Sequence, residues 1–213
     1  MPDVVIDRRL VIPAVYSRRS KYRALLALLR YGRASLIARS ASDLEHLGDE
    51  YAGAVFKGPS IEDVVARAER EKASFEEHVG HAPDDWRMIG SRPLFDSYYE
   101  AMRRFLPELG LAVTPAEISG LHKKLVLTAS GVVPDDRVLP IVPHVHRRQV
   151  DIALHTALTG GGDFFVTGDE RLIGSNVEDR ERGAVVQVVT FESLADRISS
   201  SSFDLSLVSP TLW

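Results

Sequence analysis

Three aspartates carry the first chemical signal in this chain of 213 residues. Asp7 closes the apolar run Val4-Val5-Ile6, Asp169 follows Phe164-Phe165-Val166 and the pair Thr167-Gly168, and Asp151 stands between Val150 and Ile152. A carboxylate set among core-type residues costs free energy unless it is paired or bound to a cation. Grouped carboxylates also raise one another's pKa unless a hard divalent cation lies between them, and Mg²⁺ or Mn²⁺ suits such all-oxygen ligation. Asp7, Asp151 and Asp169 together are expected to form a small acidic pocket. Spacing alone leaves a second reading open, in which each acid caps a turn or pairs with an arginine.

Other chemistry finds less support. The chain has no cysteine, which removes disulfides, zinc ribbons and thiol catalysis. It has no Gly-x-Ser-x-Gly elbow, so no α/β-hydrolase nucleophile is present. His144, His146 and His155 could suggest a transition-metal site, but His144 and His146 sit at a helix start and read more simply as surface or capping residues. Gly160-Gly161-Gly162 lacks a GxGxxG pattern or a Walker lysine and reads as a helix-to-strand turn. Trp86 and the pair Tyr98-Tyr99 could stack bases, though packing roles account for them as well.

The acids need elements to hold them. DVVID at 3–7 reads as a buried parallel strand ending in an acid. RRSKYRALLALLRY at 18–31 has helical spacing, with Gly32 as its C-cap, and ASLIA at 34–38 reads as a second strand. Ser42-Asp43-Leu44-Glu45 has capping-box form and predicts a helix start. From 57 to 140 acid-rich helical stretches alternate with Pro- and Gly-bearing turns, which predicts a helical insertion. VHRRQVDIALHTAL at 145–158 predicts a helix, DFFVT at 163–167 a strand, 169–174 a single helical turn, AVVQVVT at 184–190 a strand, and FESLADRI a last helix. The Ser-rich tail at 200–213 orders only if it docks by Leu205, Leu207 and Trp213. Alternating strands and helices predict an α/β fold with a central parallel sheet flanked by helices, whose ligands bind beyond the C-terminal strand ends. Asp7 and Asp169 occupy such ends.

Composition bounds the function classes. With 45% hydrophobic and 26% charged residues and a net charge of −4, the chain reads as an ordinary globular protein. No apolar run approaches the roughly 18 residues of a membrane span, and the N-terminus lacks the form of a secretory signal, so the expected location is the cytoplasm. Charge is unevenly spread: residues 1–40 hold nine basic residues against Asp3 and Asp7, whereas 41–101 hold six basic and fourteen acidic residues. A basic segment beside an acidic pocket can attract phosphate even on an acidic protein. Arg outnumbers Lys 21 to 5, so a general preference for arginine explains the segment equally well.

VVIDRRLVIPAV at 4–15, taken with VDIALHTALTGGGDFFVTGDERLI at 150–173, resembles the opening and closing signatures of the PIN domain family of metal-dependent nucleases. Many of its members are toxins of bacterial and archaeal toxin–antitoxin pairs. The resemblance covers residues 3–56 and 145–198 and implies a PIN-like core at 1–56 and 141–199 around the insertion. It implies Asp7, Asp151 and Asp169 as metal-binding acids and Thr167 as the hydroxyl beside the metal. A further acid would come from the helix after the second strand, where Asp43, Glu45, Asp49 and Glu50 compete and Glu45 is chosen. The implied reaction is Mg²⁺- or Mn²⁺-assisted hydrolysis of RNA, leaving a 3′-hydroxyl and a 5′-phosphate. Arg8, Arg18, Arg19 and Arg23 would grip the RNA backbone, an antitoxin would cover the pocket, and homodimerisation would follow family habit. One departure stands out: where the family reads Asp-Thr-Asn, this chain reads Asp7-Arg8-Arg9. A guanidinium from Arg9 could pair with Asp151 or Asp169 in place of the metal, giving an inactive RNA- or protein-binding module.

Overall fold

The computed structural model describes residues 1–17, 20–40, 60–133, 148–179, 183–199 and 203–213, without the side chains of 148–151 and 179. Strand β1 (Asp3–Ile6) is buried along its whole length, as a strand covered on both faces must be. Helix α1 (Arg8–Tyr16) begins immediately after it, and Asp7 is its N-cap, with extended backbone and a carboxylate that accepts from the Arg9 N–H. Helix α2 (Lys21–Arg39) follows, then α3 (Ile61–Val79), β2 (Arg87–Ser91), α4 (Arg92–Glu108), α5 (Pro115–Val126) and β3 (Ala129–Val133). The remainder is α6 (Arg148–Gly160), β4 (Phe164–Val166), β5 (Asn176–Asp179), β6 (Ala184–Val189), α7 (Phe191–Ser199) and short 3-10 turns at Leu205–Leu207 and Pro210–Leu212.

The six described strands form one sheet in the order β3-β2-β1-β4-β6-β5. β1 lies between β2 and β4 and is parallel to both, β2 pairs parallel with β3, and β4 pairs parallel with β6. Only β5 among them runs antiparallel, against β6 at the sheet edge. The expected α/β fold with a central, mostly parallel sheet is what the chain forms.

Three local expectations differ from the structure. The segment 57–140 is not purely a helical insertion, because it supplies β2 and β3, both of the described strands on one side of β1. ASLIA at 34–38 is not a strand: α2 runs unbroken through Gly32 to Arg39. A Cβ at Gly32 would lie 2.2 Å from the Trp86 carbonyl oxygen, so this glycine permits close approach of the chain leading into β2 and does not end the helix. Residues 170–174 form turns and not a helix. The helix expected from Ser42 lies outside the described residues.

Polar contacts fix both ends of the sheet centre. Arg87 clamps Asp3 with two hydrogen bonds of 2.8 and 2.7 Å, and the Asp3 N–H donates to the Asp163 carboxylate at 2.8 Å. This bidentate pair ties the starts of β1 and β2 together and holds their register. At the other end, Thr156 on α6 gives its hydroxyl proton to the Ile152 carbonyl at 2.8 Å. Its oxygen is then free to accept from the Ser91 hydroxyl 2.7 Å away, and both residues are fully buried. Ser91 also caps α4 by accepting from the Leu94 N–H. The tail does dock: Trp213 is buried, its indole N–H donates to the Thr128 hydroxyl at 3.2 Å, and Leu205 is buried, whereas Leu207 faces outward. No helix among the described residues is long and apolar enough to cross a membrane.

Candidate functional site at the strand ends

The parallel strands β1 and β4 deliver their C-terminal residues to one place. Ile6 pairs with Val166, and the Asp7 N–H continues the ladder by donating to the Val166 carbonyl at 2.8 Å. The next residue on the other side, Thr167, donates its N–H to the Val189 carbonyl and its hydroxyl to Asp7 Oδ2 at 2.6 Å. The same hydroxyl oxygen accepts from the Asp169 N–H at 3.1 Å. Thr167 therefore links the two acids, fixing the Asp7 carboxylate with its proton and the Asp169 backbone with its lone pair. Asp7 and Asp169 are only 3% and 6% exposed, so the sheet places two carboxylates where solvent compensates them poorly.

The two acids are compensated differently. Asp7 accepts from the Arg9 N–H at 3.1 Å and from Thr167, and it faces the N-terminus of α1, where the partial positive charge of the helix favours an anion. Arg8 feels the Asp7 charge, although burial of its guanidinium lowers its pKa more than Asp7 raises it. Asp169 is held by side chains. Arg171 donates Nε to Oδ1 and Nη2 to Oδ2, both at 3.1 Å, and Arg9 Nη1 approaches Oδ2 at 3.4 Å. The Arg171 hydrogen bonds, aided by the charge of Arg9, hold the Asp169 carboxyl below the usual range.

Beneath them lies Tyr98 on α4, which is fully buried and donates its hydroxyl to the Ile6 carbonyl. Burial first, and then the charge of Asp7, push its phenol well above the ordinary value. Tyr98 stays protonated and supports the end of β1. Its neighbour Tyr99 meets the His122 ring edge-on, and Trp86 stacks on Phe164 with centroids 5.8 Å apart. These three aromatics take the packing roles that the sequence allowed them.

The structure thus brings Asp7, Thr167, Asp169 and Arg9 together. Asp151 lies in the first turns of α6, five residues before Thr156, which touches the end of β2; at ~1.5 Å per residue its backbone is about 7.5 Å further along the helix. Its side chain is not among those described. Glu45, Arg18, Arg19, His144 and His146 lie outside the described residues. Arg23 is turned elsewhere, with one nitrogen 3.4 Å from the Val15 carbonyl and its guanidinium 5.3 Å above the Trp213 ring. Two residues escaped sequence reasoning, Tyr98 as a support and Arg171 as a partner of Asp169. The run Asp169-Glu170-Arg171 carried a signal for the second, since an aspartate two residues before an arginine at a turn can form such a pair.

The donor set has the right chemistry for a hard divalent cation, because Asp7, Asp169 and Thr167 offer only oxygen. Two features count against occupancy without rearrangement: among the described residues no three acidic or histidine side chains converge, and both Asp169 oxygens already face guanidinium groups. Those groups are the movable part, since Arg9 and Arg171 are 41% and 69% exposed while Asp169 is buried. Turning the two arginines outward would leave the buried Asp169 carboxylate without its partners, so an incoming cation would have to compensate that charge in their place. No family model, curated protein or solved structure matches this chain.

Proposed function

We infer that the strand-end pocket is the working site of a PIN-like, Mg²⁺- or Mn²⁺-dependent endoribonuclease. The observation that carries this reading is the Asp7–Thr167–Asp169 link at the C-terminal ends of two central parallel strands, the position where sheets of this kind bind ligands. Asp7 and Asp169 would hold the cation, with Asp151 and Glu45 as the further acids of the proposal. When bound, such a cation polarises a phosphate and lowers the pKa of water. Thr167 keeps the Asp7 carboxylate oriented, and the Arg9 N–H at the α1 N-terminus holds its other oxygen. Arg8, Arg9 and Arg171 supply the positive rim that a phosphodiester backbone would meet first, with Arg18 and Arg19 completing the proposed RNA contacts, whereas Arg23 is engaged with Val15 and Trp213. A toxin role, an antitoxin lying over the pocket and a homodimer belong to the same proposal.

A second reading is favoured by one contact, Arg9 to Asp169 at 3.4 Å. In it the guanidinium groups stand in for the cation and the protein binds RNA or a protein partner without cutting. Purified protein incubated with mixed single-stranded RNA decides between them. Cleavage that requires Mn²⁺, stops with EDTA and is absent from Asp169→Asn supports the nuclease. No cleavage and no metal-induced rise in melting temperature moves the assignment to the binding module.

A further inference from the structure

A second, separate concavity lies on the outer side of α2. α2 starts beside the strand C-termini, where Tyr22 meets Phe191 edge-on, and passes the start of β2 at Gly32. Arg30 and Tyr31 therefore sit about 12 Å along the helix from Tyr22, toward the opposite end of the sheet. Between this part of α2, helix α3 and Leu212 is a cavity of about 360 Å³, within the range of small-molecule sites.

Its walls are strongly cationic. Arg30, Arg67 and Arg70 line it, with Glu71 as the only acidic residue among the described lining. Arg30 binds Glu71 through two nitrogens and Arg67 binds the same carboxylate at 2.9 Å, so one negative charge is shared by two guanidiniums. Arg70 makes no ion pair among the described residues. Two further cations press on the cluster. Burial and the charge of Arg30 hold the Lys124 amine down to about 8, and burial, Arg67 and Arg30 lower Arg33. The lining also includes the buried aromatic pair Tyr31 and Phe75, stacked with ring centroids 4.5 Å apart.

A surplus of converging guanidiniums at a pocket is a cost to the fold unless an anion relieves it. Phosphate relieves it better than a carboxylate, because it carries more charge and more acceptor oxygens for the planar guanidinium fork. We propose that this cavity binds a small phosphorylated ligand of the di- or triphosphate class, with its phosphates on Arg30, Arg67 and Arg70. The site is independent of the strand-end pocket.

The test is calorimetric titration of the full chain with pyrophosphate, ATP, citrate and a short single-stranded RNA. Wild type, the double variant Arg67→Ala/Arg70→Ala and Arg9→Ala are compared. Arg67 and Arg70 are exposed helical positions where alanine is a good helix former, so the double variant keeps the fold, as circular dichroism will show. The expected result is binding of pyrophosphate and ATP that weakens at least about tenfold in the double variant and is unchanged in Arg9→Ala. The proposal is overturned by no binding of either phosphate compound, by equal binding of citrate, by binding of RNA alone, or by phosphate binding that follows Arg9.

Discussion

The Thr167 hydroxyl donates to the Asp7 carboxylate at 2.6 Å across 160 positions of chain, and the contact is buried. It joins the first strand to the fourth, and the same hydroxyl accepts from the Asp169 N–H, so one side chain touches both site acids. Replacing it tests whether the pocket is built as described. Thr167→Val keeps the shape but leaves a buried carboxylate short of a donor, which is expected to lower stability by about 1–3 kcal/mol. Urea denaturation at neutral pH measures it. A value indistinguishable from wild type would mean that Asp7 finds another donor.

The arginine clamp on Asp169 should be visible in a pH titration. Its folded pKa is depressed by Arg171, so the stability the pair supplies is fully present above the ordinary value of 3.8 and is lost as the pH falls through the lowered folded value. In Arg171→Ala the Asp169 carboxyl should titrate higher by NMR, and the difference in stability from wild type should vanish at the acid end of that window. A carboxyl that titrates identically in both proteins would show that Arg171 is not its main partner.

Lys124 offers the opposite sign at alkaline pH. Burial holds its amine down to about 8 against an ordinary 10.5, so the unfolded chain binds the extra proton between those values and stability rises with pH across them. Lys124→Met should remove that rise. The comparison must be wild type minus variant, because Tyr31, pushed up to about 12 by burial and Glu76, adds its own dependence above 10.

Gly32→Ala separates local preference from packing. Helix propensity alone predicts a gain of about 1 kcal/mol in a helix interior. The Cβ would instead meet the Trp86 carbonyl oxygen at 2.2 Å, which is backbone and cannot swing aside. The expected net effect is a loss of about 1–3 kcal/mol, read as a lower midpoint in urea; a gain would mean that α2 and the start of β2 are not in contact.

The same glycine shows why some elements were legible in the sequence and others were not. Val4-Val5-Ile6 and Phe164-Phe165-Val166 announce themselves because strands buried on both faces are continuously apolar. Gly32 looks like a helix stop when only its neighbours are visible, and its real reason lies 54 positions away at Trp86. β2 hides for a similar reason. Its sequence Arg87-Met88-Ile89-Gly90-Ser91 begins with a charge and contains a glycine, yet Arg87 is spent on Asp3 and Gly90 makes room for the Phe95 ring, whose nearest atom lies 2.3 Å from where a Cβ would stand. In the site, Asp7, Thr167 and Asp169 could be found because strand ends are predictable. Arg171 and Tyr98 could not, because their parts depend on a turn and on a helix packed from elsewhere in the chain.

The central place of β1 also sets a schedule. β1 leaves the ribosome before the other described strands, and its neighbours β2 and β4 begin 84 and 161 positions later. At roughly 5–20 residues per second, Asp7 waits on the order of ten to thirty seconds before Thr167 and Asp169 are synthesised. During that interval the chain has an innermost strand without its full complement of partners and a pocket with one wall. Whatever chemistry the pocket performs is withheld from any nascent chain that stops short of Asp169.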